Sequence, residues 1–197
     1  VSNLPYEHMD LCNYLVENCV LWCDWGGAME IGAETVADRY TNMVYRNCDI
    51  LRSDHGALRI QSGDRAEVSH VLYEDIRVEF SKHDQGHKLQ NADEDTFVPP
   101  ENWTWYLIRG WIYCNRWSDH GILGNVHDIT YRNIAAYTDD DSLVPAISFK
   151  GVDEEHRFHN ITIENVTLNG KPFTPPVTAN TNNGLVTLNG QVVPEIG

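Results

Sequence analysis

A strand-like segment recurs along the chain at a nearly fixed spacing, and this repeat constrains the fold more than any other feature. The dipeptide Asn-Cys occurs at positions 18–19 and again at 47–48, 29 residues later. Each copy is followed by a short run in which apolar and polar residues alternate, at 28–32 and at 57–61. A segment that returns at this interval is typical of a solenoid, in which each copy forms part of one coil.

The repeat continues in three further copies, at Ser69–Glu79, His127–Tyr137 and His159–Gly170. One polar residue aligns in all five copies: Asn18, Asn47, Asp75, Asn133 and Asn165. The steps between these residues are 29, 28, 58 and 32. Because 58 is close to two periods, we predict one hidden coil between positions 75 and 133, in the segment Trp103–Cys114.

The copies have the periodicity of strands, since apolar and polar residues alternate and Val, Ile, Thr and Tyr are frequent. One short strand cannot bury its apolar side alone, but stacked strands form a continuous core. The period is too long for hexapeptide repeats, and the signatures of leucine-rich repeats and propellers are missing. We therefore predict an all-β chain folded as a right-handed parallel β-helix of about six coils. The aligned Asn residues should form a hydrogen-bonded ladder at turns with a left-handed backbone.

Two segments depart from the repeat and set the predicted domain organisation. Residues 81–102 form a long polar insertion, which should project from one corner of the coils and help to build a binding face. The coils are predicted to span 1–171. Residues 172–197 should form a C-terminal tail or cap, with a hairpin around Asn189-Gly190. An uncapped solenoid end exposes apolar surface, so we also expect self-association through such an end.

The charge of the chain argues against several partners. The formal net charge is −15 at pH 7, the sequence pI is about 4.8 and no basic patch is visible, so we expect neither nucleic acid nor a membrane as a partner. No apolar run approaches the roughly 18 residues of a transmembrane helix. Of the five cysteines, Cys19 and Cys23 lack the second pair that a zinc site needs. Buried thiols stacked between coils are favoured, and we expect no metal and no cofactor.

Four segments resemble a known enzyme family. They read WGGAMEIGAET, YTNMVYRNCDIL, SDHGALRIQSGDRAEVSHVLYEDIRVE and GVDEEHRFHNITIENVTLNGK. They resemble the later coils of glycoside hydrolase family 28, polygalacturonase-like enzymes with the pectin-lyase-type β-helix. The resemblance covers roughly Asn13–Lys171. It implies a secreted or periplasmic protein that binds a polysaccharide or oligosaccharide and forms part of a hydrolase acting on O-glycosyl bonds.

Two of the four catalytic motifs of that family have counterparts here. Members carry Asn-Thr-Asp, Asp-Asp, Gly-His-Gly and Arg-Ile-Lys along one face. Trp25-Gly26-Gly27 lies at the third motif without its His, and Arg59-Ile60-Gln61 lies at the fourth with its Lys replaced. The acidic motifs should lie one coil before Asn13, and nothing in Val1–Asp10 matches them. The resemblance therefore implies the C-terminal coils of a longer β-helix, in which Arg59 contacts the substrate.

The repeat itself places Glu30 beside Arg59, because the two positions are 29 residues apart. By strand alternation, Glu30 points outwards, and Arg59 and Gln61 point outwards one coil later. A later strand adds two residues to this outer face: Ser148 and Lys150. The face is either the floor of a sugar-binding groove or an exposed salt bridge, which is worth at most about 1 kcal/mol.

The corners next to this face carry acids, histidines and indole rings. The tetrapeptide Ser-Asp-His-Gly occupies 53–56 and returns at 118–121. An aromatic ring beside acids suits a sugar, although Asp and Gly are also ordinary turn residues. The candidate substrate-binding residues are Trp25, His55, Arg59, Gln61, Asp119 and His120. Further tryptophans are candidates for either core packing or a sugar platform: Trp103, Trp105, Trp111 and Trp117.

Three functions are consistent with these residues. A polysaccharide hydrolase would use two carboxylates, about 6.5–9.5 Å apart in inverting enzymes. Glu30 with Asp24 or Asp54 is the pair that the repeat places on one face, with Glu30 as the base. A second reading is a β-helix that binds carbohydrate or has a structural role without turnover. A third is a polysaccharide lyase, which would hold Ca²⁺ on clustered acids such as Asp139–Asp141, a run that is otherwise a solvated turn.

Overall fold

The computed structural model describes residues 9–24, 26–53, 56–82, 104–114, 118, 121–173, 177–180 and 186–193, with the backbone alone for 178–180. Within these residues the regular structure is entirely β. This part of the chain has no helix that is long and apolar enough to cross a membrane. Apart from Ser81 and Lys82, the predicted projecting insertion at 81–102 lies outside the described residues.

The described strands form two sheets. In chain order they are β1 (Leu11–Glu17), β2 (Val20–Cys23), β3 (Gly27–Ile31), β4 (Arg39–Ser53), β5 (Gly56–Ser62), β6 (Glu67–Phe80), β7 (Tyr106–Ile112), β8 (Asn125–Thr138), β9 (Ala146–Lys150), β10 (Phe158–Leu168), β11 (Lys171–Pro172), β12 (Val177–Asn180), β13 (Val186–Leu188) and β14 (Gln191–Val192). The first sheet runs β1-β4-β6-β8-β10-β13-β14, with β2 also on β4 and β11 also on β10. The second sheet runs β3-β5-β7-β9-β12. The β10–β11 and β13–β14 pairs are antiparallel, and the other pairs are parallel.

Residues one repeat apart lie side by side in the first sheet. Tyr40 of β4 pairs with Leu11 of β1 and Val68 of β6, and Val126 of β8 pairs with Val68 and with Phe158 of β10. The separations between stacked residues are 29, 28, 58 and 32. These are the steps read from the sequence, so the prediction of an all-β chain with stacked parallel strands is confirmed.

The predicted hidden coil between positions 75 and 133 is wrong. Strand β6 pairs directly with β8 across the 58-residue step. The segment Trp103–Cys114 does contain a strand, β7, but this strand lies in the second sheet between β5 and β9. The extra residues lie in the connection from Phe80, at the end of β6, to Tyr106, at the start of β7. The 58-residue step therefore contains no additional strand of the first sheet among the described residues.

Two rows of left-handed residues bend the long strands of the first sheet. Corner row 1 is Asn13, Asn42, His70, Asp128 and Asn160, and corner row 2 is Asn18, Asn47, Asp75, Asn133 and Asn165. All ten have φ between 49° and 61°. Asn and Asp tolerate this conformation because their short polar side chains can hydrogen-bond nearby. Corner row 2 lies where the sequence predicted the left-handed turns, whereas corner row 1 was not predicted.

Corner row 2 forms the predicted amide ladder. Each Asn donates its Nδ2 to the Oδ1 of the residue one coil earlier: Asn47 to Asn18 at 2.6 Å, Asn133 to Asp75 at 2.8 Å, and Asn165 to Asn133 at 2.7 Å. Asp75 has no amide to donate, and the guanidinium of Arg77 donates to Asn47 Oδ1 at 3.3 Å. The ladder is thus confirmed, with an arginine bridging the coil where Asp replaces Asn.

The apolar core lies between the two sheets. Met29, Ile31, Leu58 and Ile60 of the second sheet point into it and are at most 4% exposed. This confirms the alternation predicted for the strands that hold Glu30 and Arg59. On the first sheet, Tyr45, Tyr73 and Tyr131 stack inside the core with ring centroids 4.8 and 4.9 Å apart. Cys48 is buried and Cys19 packs against the core, as their equivalent positions predicted.

The two ends of the stack differ. At the C-terminal end, turns at Asn169-Gly170 and Asn189-Gly190 fold β11 and β14 back as hairpins, which confirms the hairpin predicted around Asn189-Gly190. Strands β12 and β13 continue the two sheets beyond β9 and β10. At the other end, β1 and β3 are the terminal strands among the described residues, and large apolar side chains are exposed there: Met9, Leu11, Tyr14, Leu15, Val20 and Trp22. Self-association through this end stays a prediction.

Candidate functional site

The outer face of the second sheet gathers two rows of polar and aromatic side chains. Strand alternation turns every second residue away from the core, and the parallel registers align these outward residues on successive strands. The first row is Glu30, Arg59, Arg109 and Ser148, and the second row is Gln61, Trp111 and Lys150. The predicted pair of Glu30 and Arg59 is therefore confirmed as neighbours, and Gln61 lies beside them.

Three nitrogen atoms converge on the carboxylate of Glu30, two as hydrogen-bond donors and one as an ion-pair partner. Arg59 Nε lies 3.4 Å from Oε1, Gln61 Nε2 donates to the same oxygen, and the backbone N–H of Gly27 donates to Oε2 at 3.3 Å. A Cβ at Gly27 would lie 3.0 Å from both Arg59 Cδ and Glu30 Oε2, so a larger residue would push these two side chains aside. The carboxylate is thus fixed from three sides at the edge of the face.

Arg59 and Gln61 are covered although they point away from the core. Arg59 is 6% exposed and Gln61 is 5% exposed. The side chains of the ion pair keep only 8% (Arg59) and 21% (Glu30) of their exposure. This contact is not the exposed salt bridge that the sequence left as an alternative. The covering groups come from β7 and the residue after it, since Trp111 lies over Arg59 and Tyr113 contacts Gln61.

Arg109 lies between two aromatic rings. Its guanidinium carbon is 4.1 Å from the ring centroid of Trp111 and 4.5 Å from that of Tyr106. The guanidinium carbon of Arg59 lies 5.4 Å from the ring centroid of Trp111. Such cation–π contacts hold a planar guanidinium in place. Burial lowers the pKa of Arg109 from its usual value, and the nearby positive charge of Arg59 acts in the same direction. Two partly desolvated cations thus share one aromatic platform.

A groove of about 370 Å³ opens beside this platform. Its described lining combines three aromatic rings, two cations and a hydroxyl: Tyr106, Arg109, Trp111, Tyr113, Ser148 and Lys150, with Gly110 and Ile112 completing it. No carboxylate is among these described lining residues. The groove can therefore donate hydrogen bonds to an anion and pack rings against an apolar face, but its described walls hold no acid or base pair.

The other predicted site residues do not join this groove within the described chain. Asp24 lies at the corner before β3, where its side chain is 67% exposed and contacts Arg52 Nε at 3.1 Å. Trp22 Nε1 also donates to Asp24 Oδ1, at 3.0 Å. The remaining predicted residues lie outside the described part of the structure: Trp25, Asp54, His55, Asp119 and His120, together with Trp103 and Trp117. Their proposed roles stay predictions.

Sequence reasoning missed Arg109, Tyr106 and Tyr113, and it treated Trp111 as one tryptophan among several. A signal was present, because Ile108–Trp111 (IRGW) aligns with Leu58–Gln61 (LRIQ). The structure stacks these two segments residue by residue. The alignment was missed because this segment was matched to a strand of the first sheet, whereas it belongs to the second.

A larger groove, of about 720 Å³, lies on the outer face of the first sheet. Several of its polar lining residues already bond side chains on neighbouring strands. Asn160 donates to Asp128, and Arg132 pairs with Glu74 and Glu164. These contacts join neighbouring strands of the first sheet, so we assign the candidate site to the second sheet.

The acidic run Asp139–Asp141 forms a turn. Asp140 accepts hydrogen bonds from the backbone and hydroxyl of Ser142 and from Lys82, which together lower its pKa. Asp139 binds the hydroxyl of Ser81. Among the described residues, no group of three or more His, Cys, Asp or Glu side chains is arranged to hold a metal ion. The run therefore fits the solvated turn better than the calcium site of a lyase.

Comparisons with protein-family models, with curated proteins and with solved structures find no match for this chain. The likeness to glycoside hydrolase family 28 rests on the sequence segments given above.

Proposed function

We propose that the chain folds as a right-handed parallel β-helix of the pectin-lyase type and binds an acidic oligosaccharide or polysaccharide on the outer face of its second sheet. The fold proposal is supported by the parallel registers, the two corner rows and the core between the sheets. Because acidic polysaccharides of this kind occur outside the cytoplasm, we also propose that the protein is secreted or periplasmic.

One observation carries the binding proposal: Arg109 is held between Tyr106 and Trp111 in a groove that also contains Lys150 and Ser148. A sugar ring has an apolar face that packs on aromatic rings. A uronate carboxylate accepts hydrogen bonds from guanidinium and ammonium groups. Because Arg109 and Arg59 are largely buried, a bound anion would offset the desolvation of their charges. The cations act locally, in a chain whose net charge of −15 would otherwise repel a polyanion.

Hydrolysis is the second candidate, favoured by the position of Glu30 directly beside Arg59. A glycosidase needs two carboxylates across the scissile bond. Glu30 is already engaged by Gly27, Arg59 and Gln61, and the described groove lining adds no second acid. We therefore propose binding as the activity of these coils. Hydrolysis by the polygalacturonase-like mechanism would require acids that lie beyond the described residues.

The binding proposal is tested by calorimetric titration of trigalacturonate and of a neutral trisaccharide into the protein. We expect the acidic sugar to bind, and Arg109→Ala to weaken it at least tenfold, the effect of losing a buried charge-assisted hydrogen bond of about 1.5–3 kcal/mol. The matched control is Arg46→Ala, which removes the same charge from the first sheet, where Arg46 pairs with Glu17 at 2.7 Å. Equal affinity of the two variants would refute the proposal.

Turnover is measured in the same samples as reducing ends released from polygalacturonate. We expect binding without release from this chain. Release that disappears in Glu30→Gln, while binding persists, would instead establish the hydrolase.

A further inference from the structure

A chain of hydrogen bonds connects Glu30 at the edge of the second-sheet outer face to Tyr113 in the wall of the groove. Gln61 is the link, since its Nε2 donates to Glu30 Oε1 and its Oε1 accepts from the hydroxyl of Tyr113 at 2.9 Å. Gln61 is buried, and the ring of Tyr113 packs 5.3 Å from that of Trp111, centroid to centroid. The three groups therefore occupy fixed positions.

The direction of every hydrogen bond in this chain follows from Glu30. Its Oε2 accepts from the backbone N–H of Gly27 and its Oε1 lies 3.4 Å from the guanidinium Nε of Arg59, so both oxygens face groups that cannot accept and the carboxylate acts as an acceptor. A carboxylate acceptor fixes the amide of Gln61 with its NH₂ group towards Glu30, because only that end of an amide can donate. The carbonyl end of Gln61 then faces Tyr113 and must accept, so the phenol hydrogen of Tyr113 is committed to Gln61.

We propose that Glu30 and Gln61 are positioning residues that make Tyr113 an obligate hydrogen-bond acceptor towards the ligand, and that Tyr113 is a specificity-determining residue for a sugar hydroxyl. A phenol has one hydrogen, so any further hydrogen bond of Tyr113 uses its oxygen as the acceptor. The inference rests on the proposed function, because it assumes that the groove holds a sugar.

The groove is thereby polarised. Arg109 and Lys150 can only donate, which suits the carboxylate of an acidic sugar, whereas Tyr113 can only accept, which suits a hydroxyl. A ligand that places a hydrogen-bond acceptor next to the Tyr113 oxygen is disfavoured, because two acceptors repel each other and neither supplies a hydrogen. The orientation of Gln61 therefore selects which edge of the sugar faces Tyr113.

The first experiment tests the orientation without any ligand. In the native protein, a long-range HNCO spectrum should correlate Gln61 Nε2 with the Glu30 carboxylate carbon through the hydrogen bond, and Glu30→Gln should weaken or remove this correlation. A Gln61 amide whose NH₂ group correlates with no carboxylate would overturn the inference, whether or not a sugar binds.

The second experiment uses trigalacturonate and its mono-O-methyl ethers, which lose the hydroxyl donor at one position and keep the acceptor. We expect Tyr113→Phe to weaken trigalacturonate roughly three- to tenfold, the range for one neutral hydrogen bond. In the native protein, one ether should bind more weakly than trigalacturonate by a similar factor. In Tyr113→Phe, the same ether and trigalacturonate should bind with equal affinity. In Gln61→Met the phenol hydrogen is released, so this ether should regain affinity relative to the parent sugar.

The outcomes separate the two proposals. If neither the native protein nor any variant binds trigalacturonate, the proposed function fails while the orientation of Gln61 is still decided by the spectrum. If the native protein binds and Arg109→Ala does not, but Tyr113→Phe binds normally, the proposed function stands and the role of Tyr113 is wrong. A change in preference among the ethers cannot come from a general loss of stability, because the parent sugar is the reference in each variant.

Discussion

The outer faces of the two sheets are built on opposite rules. On the first sheet, stacked positions repeat the same or complementary side chains, as in corner row 2 and in the row that alternates Glu and Arg from coil to coil: Glu17, Arg46, Glu74, Arg132 and Glu164. On the second sheet the matching row does not alternate in charge, because Glu30 is followed by two arginines, Arg59 and Arg109, and then by Ser148.

The difference shows how one backbone geometry serves two purposes. Repeated side chains satisfy each other across the roughly 4.8 Å between strands, and they stabilise the stack without needing a ligand. Two stacked arginines cannot pair with each other, so their cations collect with aromatic rings beside a groove. We therefore expect substitutions in the first sheet to change stability and substitutions in the second to change binding.

The largest effect should come from the core that both sheets share. Tyr73 is fully buried, and its ring stacks between Tyr45 and Tyr131. Tyr73→Ala should lower the free energy of unfolding by about 3–5 kcal/mol, as for other large aromatic deletions. Urea denaturation followed by tryptophan fluorescence measures it.

Tyr73→Phe is the matched control. Its hydroxyl has no hydrogen-bond partner among the described residues, and burying such a group costs about 1–3 kcal/mol. We expect Tyr73→Phe to be as stable as the native protein or more stable. A loss comparable to that of Tyr73→Ala would show that the hydroxyl is bonded.

Alkaline pH should weaken the same aromatic row. Burial raises the pKa of Tyr45 to about 12, from an ordinary value of 10.0. Because the pKa of Tyr45 is higher in the folded than in the unfolded state, the protonated phenol favours folding. This contribution of Tyr45 to the free energy of unfolding is complete below pH 10 and is lost as the pH rises through 12. The loss is about 2–3 kcal/mol for a shift of this size. Denaturation between pH 8 and pH 12 should show a shallower decline in Tyr45→Phe, and identical profiles would contradict the assignment.

A break in corner row 2 should have an intermediate effect. Asn133→Ala removes the hydrogen bonds to Asp75 and from Asn165 and places Ala at a φ of 54°. We expect a loss of about 2 kcal/mol in the free energy of unfolding, with the affinity of the groove unchanged within twofold. Asn133→Gly keeps the backbone relaxed and should lose about half as much. A parallel loss of sugar affinity would mean that the two faces are not independent.

The smallest expected effect is a gain. Asp75→Asn restores an amide donor towards Asn47 and should stabilise the protein by about 0.5–1 kcal/mol. The same substitution at Asp128 is the control. Asp128 accepts from His127 Nδ1 at 2.7 Å and from Asn160, and these bonds lower its pKa. Asp128→Asn should therefore destabilise. Equal changes in the free energy of unfolding for Asp75→Asn and Asp128→Asn would show that the hydrogen bonds each Asp accepts do not decide the effect of the substitution.

The sequence predicted the parts of the molecule that repeat. The 29-residue step was enough to pair Glu30 with Arg59 and to align Asn18 with Asn47, because a stacked register is a property of spacing alone. The step from Asp75 to Asn133 was misread, because spacing cannot distinguish a second coil from an insertion within one coil.

Contacts between distant strands could not be predicted in the same way. Gln61 is covered by Tyr113, which comes just after β7, and β7 pairs with the strand of Gln61 at a step of 50 residues instead of 29. The aromatic rings around Arg109 belong to Tyr106 and Trp111 of the same distant strand. Corner row 1 was missed for another reason, since His70 and Asp128 interrupt its Asn residues and leave no visible repeat.

The amide ladder has a direction along the stack. Where an Asn Nδ2 of either corner row bonds a residue of the same row, it donates to the preceding repeat, as Asn42 does to Asn13 and Asn160 to Asp128. The acceptor of each bond is therefore always synthesised before its donor. A coil that leaves the ribosome after its predecessor has folded finds its hydrogen-bond partner already in place, so the ladder can be completed in the order in which the polypeptide is translated.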